Sequence, residues 1–190
     1  MIAYIVISVI GLLLVVLDQA VKAVICNIFP GGESTVNNEI VVIEDFFDIV
    51  RWHNTGGAWG MLGDYTWLLT AFTLICIVLI LYAYISAESS FFKLSLALIL
   101  AGAIGNVIDR IRLGYVVDYL SFDNLFGYSF PAFNVADICV VAGSIGLLIF
   151  VIFLSRKKEA FREGTFLRKL FAEENAEGEA PAETSSEEEV

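Results

Sequence analysis

The chain has 190 residues, 58% of them hydrophobic and 17% charged, with a formal net charge of −11. Soluble domains carry about 25% charged residues, so this composition and a mean hydropathy of +0.78 exclude an ordinary soluble domain and mark an integral membrane protein. The acidity is local: eight glutamates and no lysine or arginine fall in residues 172–190, and without them the charge is about −3, so no nucleic-acid partner is expected.

Four segments approach the roughly 20 apolar residues that cross about 30 Å of hydrocarbon: residues 2–25, 67–86, 91–108 and 135–154. The first lacks a basic leader and is too long for an ordinary secretory signal, so it is read as a retained span. Near its end, Asp18 and Lys22 are four apart and share a helical face. Two readings stay open for them. One is an interfacial ion pair with Lys22 reaching up to the headgroups; the other is a polar clamp facing the site mouth.

Pro30-Gly31-Gly32 then breaks the chain, and residues 39–54 alternate in a way that predicts one or two strands, with Val50, Trp52 and Asn54 on one face. Asn54-Thr55-Gly56-Gly57-Ala58 follows as a glycine-rich turn. His53 is the only histidine, so a metal site made of histidines is excluded, and His53 is read as a surface residue. Cys26, Cys76 and Cys139 show neither a disulfide framework nor paired zinc spacing, and are read as small buried hydrophobes.

The second span is uncharged and reads as scaffold. The third carries Ala101-x-x-x-Gly105, a spacing of small residues that lets membrane helices approach closely. Beyond it Asn106 and Arg110 are four apart, and Asp109 and Arg112 three apart, as for an ion pair tying down a helix end. Asn106, a turn deeper, is not explained that way. Residues 115–122 predict a short strand with Val116, Asp118 and Leu120 on one side; a carboxylate on such an apolar face needs a partner or a raised pKa. Pro131 and a capping Asn134 start the fourth helix and leave Asp137 in its first turn, where the dipole favours a negative charge. By spacing alone, a helix-terminal role and a catalytic role both stand open for Asp137.

Arg156, Lys157, Lys158, Arg162, Arg168 and Lys169 follow the last span, which points both termini to the cytoplasm and loops 27–66 and 110–134 outward. Residues 1–155 are thus expected to form the membrane domain, 156–171 a basic cytoplasmic juxtamembrane segment, and 172–190 an acidic disordered tail.

Five blocks in order, Asp18-Gln-x-x-Lys22, Asn54-Thr-Gly-x-Ala58, Gly102-Ala-x-Gly-Asn106-x-x-Asp109-Arg110, Gly114-Tyr-Val-Val-Asp118-Tyr119 and Pro131-x-Phe-Asn134-x-Ala136-Asp137, resemble the lipoprotein signal peptidase (signal peptidase II) family of bacterial membrane aspartyl proteases. The resemblance implies a four-transmembrane-helix bundle with a small extracytoplasmic β-rich cradle and a short amphipathic segment between helices 1 and 2. It implies removal of signal peptides from prolipoproteins before a cysteine that already carries diacylglyceryl. Asp118 and Asp137 resemble the catalytic pair; Asn54, Asn106, Arg110, Asn134, Ala136, Asp18 and Lys22 resemble substrate-binding or supporting positions. Ala101, Gly57-Ala58-Trp59 and Phe130 depart from the commoner glycine, Ala-Ala-Phe and tryptophan.

No metal and no cofactor is expected, since two carboxylates that share a proton can activate water and polarise a carbonyl by themselves. The expected partners are lipid-modified prolipoproteins and membrane phospholipids, and the expected protein is a monomer in the bacterial cytoplasmic membrane with its active site near the outer face. The alternative is a small proton-coupled membrane carrier, which would also place carboxylates in membrane helices, but near the midplane rather than at helix ends.

Overall fold

The computed structural model describes residues 2–33, 39–56, 65–125 and 128–154. The basic and acidic segments after residue 154, the Gly57-Ala58-Trp59 departure and the amphipathic segment implied before the second span lie outside these residues. Four helices appear where the apolar runs predict them: α1 (Ile2–Ile28), α2 (Thr66–Ser86), α3 (Ser90–Leu113) and α4 (Val135–Ile149), the last continuing into a π-helical turn at Phe150–Leu154. All four are long and apolar enough to cross a membrane.

α3 is the central helix, with about half of its apolar window buried, whereas little of the windows of α1 and α2 is fully buried. That division follows from the lipid setting, in which an apolar surface left outside meets hydrocarbon rather than water. Phe92, Leu96 and Leu100 of α3 pack with Ile7, Tyr84 and Phe150. Close approach is made at glycines: a Cβ on Gly105 would lie 2.6 Å from Asp18 Oδ2 and 3.3 Å from the Ala136 Cβ. The small-residue spacing therefore works at Gly105 by admitting both a carboxylate of α1 and the start of α4.

α3 runs five residues beyond the expected end at Ile108. Asp109, Arg110 and Arg112 do not break it, because Asp109 finds its counter-charge inside the protein. The helix stops at Gly114, whose φ of 82° closes it with a left-handed residue, its N–H donating to Arg110 O at 3.1 Å.

A four-stranded antiparallel sheet, in the order β1 (Ile40–Ile43), β2 (Phe47–Asn54), β3 (Val116–Leu125) and β4 (Tyr128–Phe133), lies beyond one end of the bundle. The expected strands between the first two helices are β1 and β2, and they make half of the sheet; β3 and β4 come from the connection between α3 and α4. The β2–β3 register sets Asn54 opposite Val116 and Trp52 opposite Asp118, so these four side chains share a face. A bulge between Ile49 and Trp52 takes Val50 out of the simple alternation read from sequence. Val117 and Tyr119, on the other face of β3, pack on Ile25 and Phe29 at the end of α1.

Candidate active site

α4 begins with four backbone N–H groups that have no partner within the helix, and each of the first three is held by a side chain from a different place. Val135 N donates to Tyr119 Oη at 3.2 Å, Ala136 N to Asp18 Oδ1 at 3.0 Å, and Asp137 N to Asn134 Oδ1 at 3.0 Å. Asn134 N in turn donates to Asp137 Oδ2 at 3.1 Å, completing a reciprocal capping box. The helix-terminal reading of Asp137 is therefore correct for one oxygen. The other, Oδ1, accepts from Asn106 Nδ2 at 2.8 Å, so the same carboxylate caps its helix and faces α3.

Asp118 is 1% exposed on β3. Its Oδ2 accepts from Asn54 Nδ2 at 2.8 Å and its Oδ1 from Asn134 Nδ2 at 2.6 Å. Burial, then the charge of Asp137, push the Asp118 carboxyl up to about 7, against the pull of the two amides and of Lys22. Asn134, wholly buried, thus touches both carboxylates, donating its backbone N–H to Asp137 Oδ2 and its side-chain amide to Asp118 Oδ1.

Behind the pair sits a buried ionic cluster. Lys22 Nζ lies 2.9 Å from Asp18 Oδ2 and 2.9 Å from Asp109 Oδ2, and donates to Asn106 Oδ1 at 3.0 Å. Lys22 is only 3% exposed, so it does not reach to headgroups. The Asp18–Lys22 pair of the first reading forms, but buried behind the aspartates rather than at the headgroups or at the cavity mouth. Gln19 Nε2 bonds Asp109 Oδ1 at 3.0 Å and Gly105 O at 3.1 Å, while Asp109 Oδ2 accepts from Val117 N at 3.1 Å. The expected Asp109–Arg112 pair does not form: Asp109 turns inward to Lys22, and Arg112 donates to Gln19 Oε1 at 3.3 Å. A lysine shared by two carboxylates and an amide satisfies its three donors without water, and that lets charged residues remain so deep. Through Asp109 the cluster grips the residue before Asp118, and through Asp18 the residue before Asp137.

The two aspartates open onto one cavity of about 570 Å³, lined also by Asn54, Asn106, Arg110 and Phe130, with Ile138 and Val141 among its apolar wall. Asn54 Oδ1 and Arg110 Nε are buried without partners among the described residues, so an acceptor and a donor stand unused at the rim. Of the residues picked out from sequence, Asp118, Asp137, Asn54, Asn106 and Arg110 meet at the cavity. Asn134, Ala136, Asp18 and Lys22 lie behind it and hold the others. Sequence reasoning left out Gln19, Asp109 and Tyr119. All three stand inside the matched blocks, but their inward direction leaves no local trace. His53 is half-buried rather than a bare surface residue, stacked on Tyr115 with ring centroids 3.8 Å apart. Burial lowers its pKa.

Chemically, paired carboxylates bounded by amides on one side and an apolar wall on the other can hold a single proton between them, bind a water and present both to an extended chain. Residues 10–153 match the family described as signal peptidase (SPase) II. A lipoprotein signal peptidase of Clostridium tetani is 39% identical over 140 residues, covering 73% of this chain and 85% of the relative. One from Symbiobacterium thermophilum is 39% identical over 152 residues, covering 79% and 95%. One from Staphylococcus aureus is 35% identical over 156 residues, covering 79% and 90%. A solved bacterial membrane enzyme superposes with a TM-score of 0.67 at 31% identity, covering 85% of this chain and 94% of that one. None of these similarities supports a proton-coupled carrier.

Proposed function

This chain belongs to the signal peptidase II family and removes signal peptides from lipoprotein precursors, and from that premise we propose that Asp118 and Asp137 are its catalytic pair. The observation that carries the proposal is that two carboxylates from separate elements, β3 and α4, open onto one cavity, each already oriented by amide donors. Two acids so placed do not both ionise near neutral pH, because the second charge would be made beside the first in a poorly solvated site. The pair then holds one proton. The ionised member takes a proton from water, which attacks the scissile carbonyl, while the protonated member gives its proton to the carbonyl oxygen; on collapse the first member passes the proton taken from water to the leaving amine and the second recovers its own from the gem-diol. The protons belong to the pair as a unit.

Asn54, Asn106 and Arg110 position the substrate, and Asn134, Ala136, Asp18 and Lys22 position the pair. The substrate is a prolipoprotein whose cysteine carries diacylglyceryl, cut on the signal-peptide side of that cysteine. The apolar wall descending α4 beside the aspartates supports a lipid-bearing substrate. The sheet is the extracytoplasmic cradle, and the site faces outward with both termini in the cytoplasm. Residues 1–155 act as the peptidase domain and as a monomer, with residues 156–190 outside the catalytic unit.

The test is cleavage of a synthetic diacylglyceryl precursor by purified Asp118→Asn and Asp137→Asn, each verified as folded by its melting curve. Both are expected to lose detectable turnover, since asparagine cannot cycle a proton. Near-wild-type turnover in either would remove that residue from the pair, and equal cleavage of the unlipidated precursor by the wild type would remove the lipid requirement.

A further inference from the structure

Arg110 stands at the head of two cavities. One is the cavity of the aspartates. The other, about 540 Å³, lies between α2 and α3 and is lined by Arg110, Thr66, Trp67, Thr70, Ala71 and Leu74, with Gly114 at its end. Its α2 residues recur at three- and four-residue steps, hence on one face, and the run from Thr66 to Leu74 covers about 12 Å of helix. The wall of the first cavity repeats the pattern on α4, where Ile138, Val141, Ala142 and Ile145 run down about 10 Å. Two mainly apolar grooves, with exposed walls at Trp67 and Leu74 on α2 and at Val141 and Ile145 on α4, therefore run along different helices from a single guanidinium.

The guanidinium is half-buried, with Nε lacking a partner among the described residues, and a guanidinium offers five N–H donors in a fixed plane. Asp137, Asp118 and Asp109 are the carboxylates whose charges act on it, and its side chain lines both cavities. A ligand matched to this shape has acceptors at a branch point and two hydrocarbon arms.

We infer that the two acyl chains of the diacylglyceryl group divide at Arg110, one descending along α4 and the other along α2, with the guanidinium donating to the ester carbonyls at the branch. This rests on the peptidase reading above and adds to it a separate subsite on α2. Bilayer hydrocarbon is already apolar, so the grooves add little affinity for a chain leaving the lipid; what they supply is orientation. A lipid straddling Arg110 with both arms has its cysteine turned one way relative to Asp118 and Asp137. A lipid with one arm can occupy either groove and presents its scissile bond correctly only part of the time.

The experiment uses the full chain in phosphatidylcholine vesicles and one precursor peptide bearing either S-diacylglyceryl or S-monoacylglyceryl cysteine. Wild type is expected to favour the diacyl peptide by about twofold or more in kcat/KM, since one of two groove choices turns the monoacyl cysteine the wrong way. Ala71→Leu, Ala71→Phe and Ala71→Trp, which fill the α2 groove at a residue that does not line the aspartate cavity, are expected to bring that ratio progressively toward one. The monoacyl rate serves as the internal measure of folding. An unchanged ratio across the series, or equal loss on both peptides, overturns the inference. So does a drop in ratio seen only when phosphatidylglycerol is added, which would make the groove a site for anionic lipid. Failure of wild type to cleave either lipidated peptide would sink the peptidase reading itself and is read before the variants are compared.

Discussion

Asn54→Ala separates the geometry of the site from its chemistry. The Asn54 amide donates to Asp118 Oδ2 at 2.8 Å from the last residue of β2, and its Oδ1 has no partner among the described residues. Alanine removes one hydrogen bond to a carboxylate, worth about 1.5–3 kcal/mol, and one open acceptor at the rim. At about 1.36 kcal/mol per factor of ten, and if the bond is fully used in the transition state, kcat/KM falls roughly 10- to 100-fold, while Asp118→Asn eliminates it. The change also has a direction in pH. Burial and Asp137 raise the Asp118 carboxyl to about 7 while the Asn54 amide pulls it down. Deleting the amide therefore raises it further, and the alkaline limb of kcat/KM, where the pair loses its last proton, moves to higher pH. The assay is cleavage of subsaturating diacylglyceryl precursor from pH 5 to 9 by wild type and Asn54→Ala in parallel. Wild-type efficiency together with an unmoved alkaline limb would refute the reasoning, because the amide would then be neither orienting the carboxyl nor tuning it.

Lys22→Met leaves Asp18 and Asp109 buried without their shared cation, and breaking one partner of a buried pair costs about 3–5 kcal/mol. Denaturation in detergent should show a loss of that order, partly recovered by adding Asp109→Asn, and a loss below about 1 kcal/mol would contradict the shared-cation geometry. Gly105→Ala forces a methyl group to within 2.6 Å of Asp18 Oδ2, an overpacking worth about 1–3 kcal/mol, and should lower both the melting temperature and turnover because Asp18 holds Ala136 N. Asp48 on β2 is buried, and burial followed by Asp123 raises its carboxyl from 3.8 to about 6. The folded state thus holds the proton more tightly than the unfolded chain, and wild-type stability falls as pH rises from about 4 through 6. Asp48→Asn lacks that decline and should melt higher than wild type at pH 8 with the gap closing below pH 4, as melting curves at both pH values will test.

What the chain determined by itself is whatever depends on neighbours in sequence. Runs of apolar residues are long enough to cross hydrocarbon only as helices, so α1 to α4 are readable directly. Pro131 and Asn134 announce the start of α4 and the place of Asp137 within it. Of the residues picked out with the five blocks, Asp118, Asp137, Asn54, Asn106 and Arg110 line the cavity, and Asn134, Ala136, Asp18 and Lys22 stand behind it. The tertiary structure alone decided how the polar groups face. Asp18 closes the start of α4 from 118 positions away, Lys22 reaches Asn106 across 84, and Asn54 meets Asp118 because β2 and β3, from different connections, pair in one register. No local pattern distinguishes an aspartate that ends a helix in solvent from one that a distant lysine holds inside, which is why Asp109 looked like a surface partner of Arg112. The cost of burying a charge depends on which donors surround it, and those donors come from the far parts of the chain that only folding brings together.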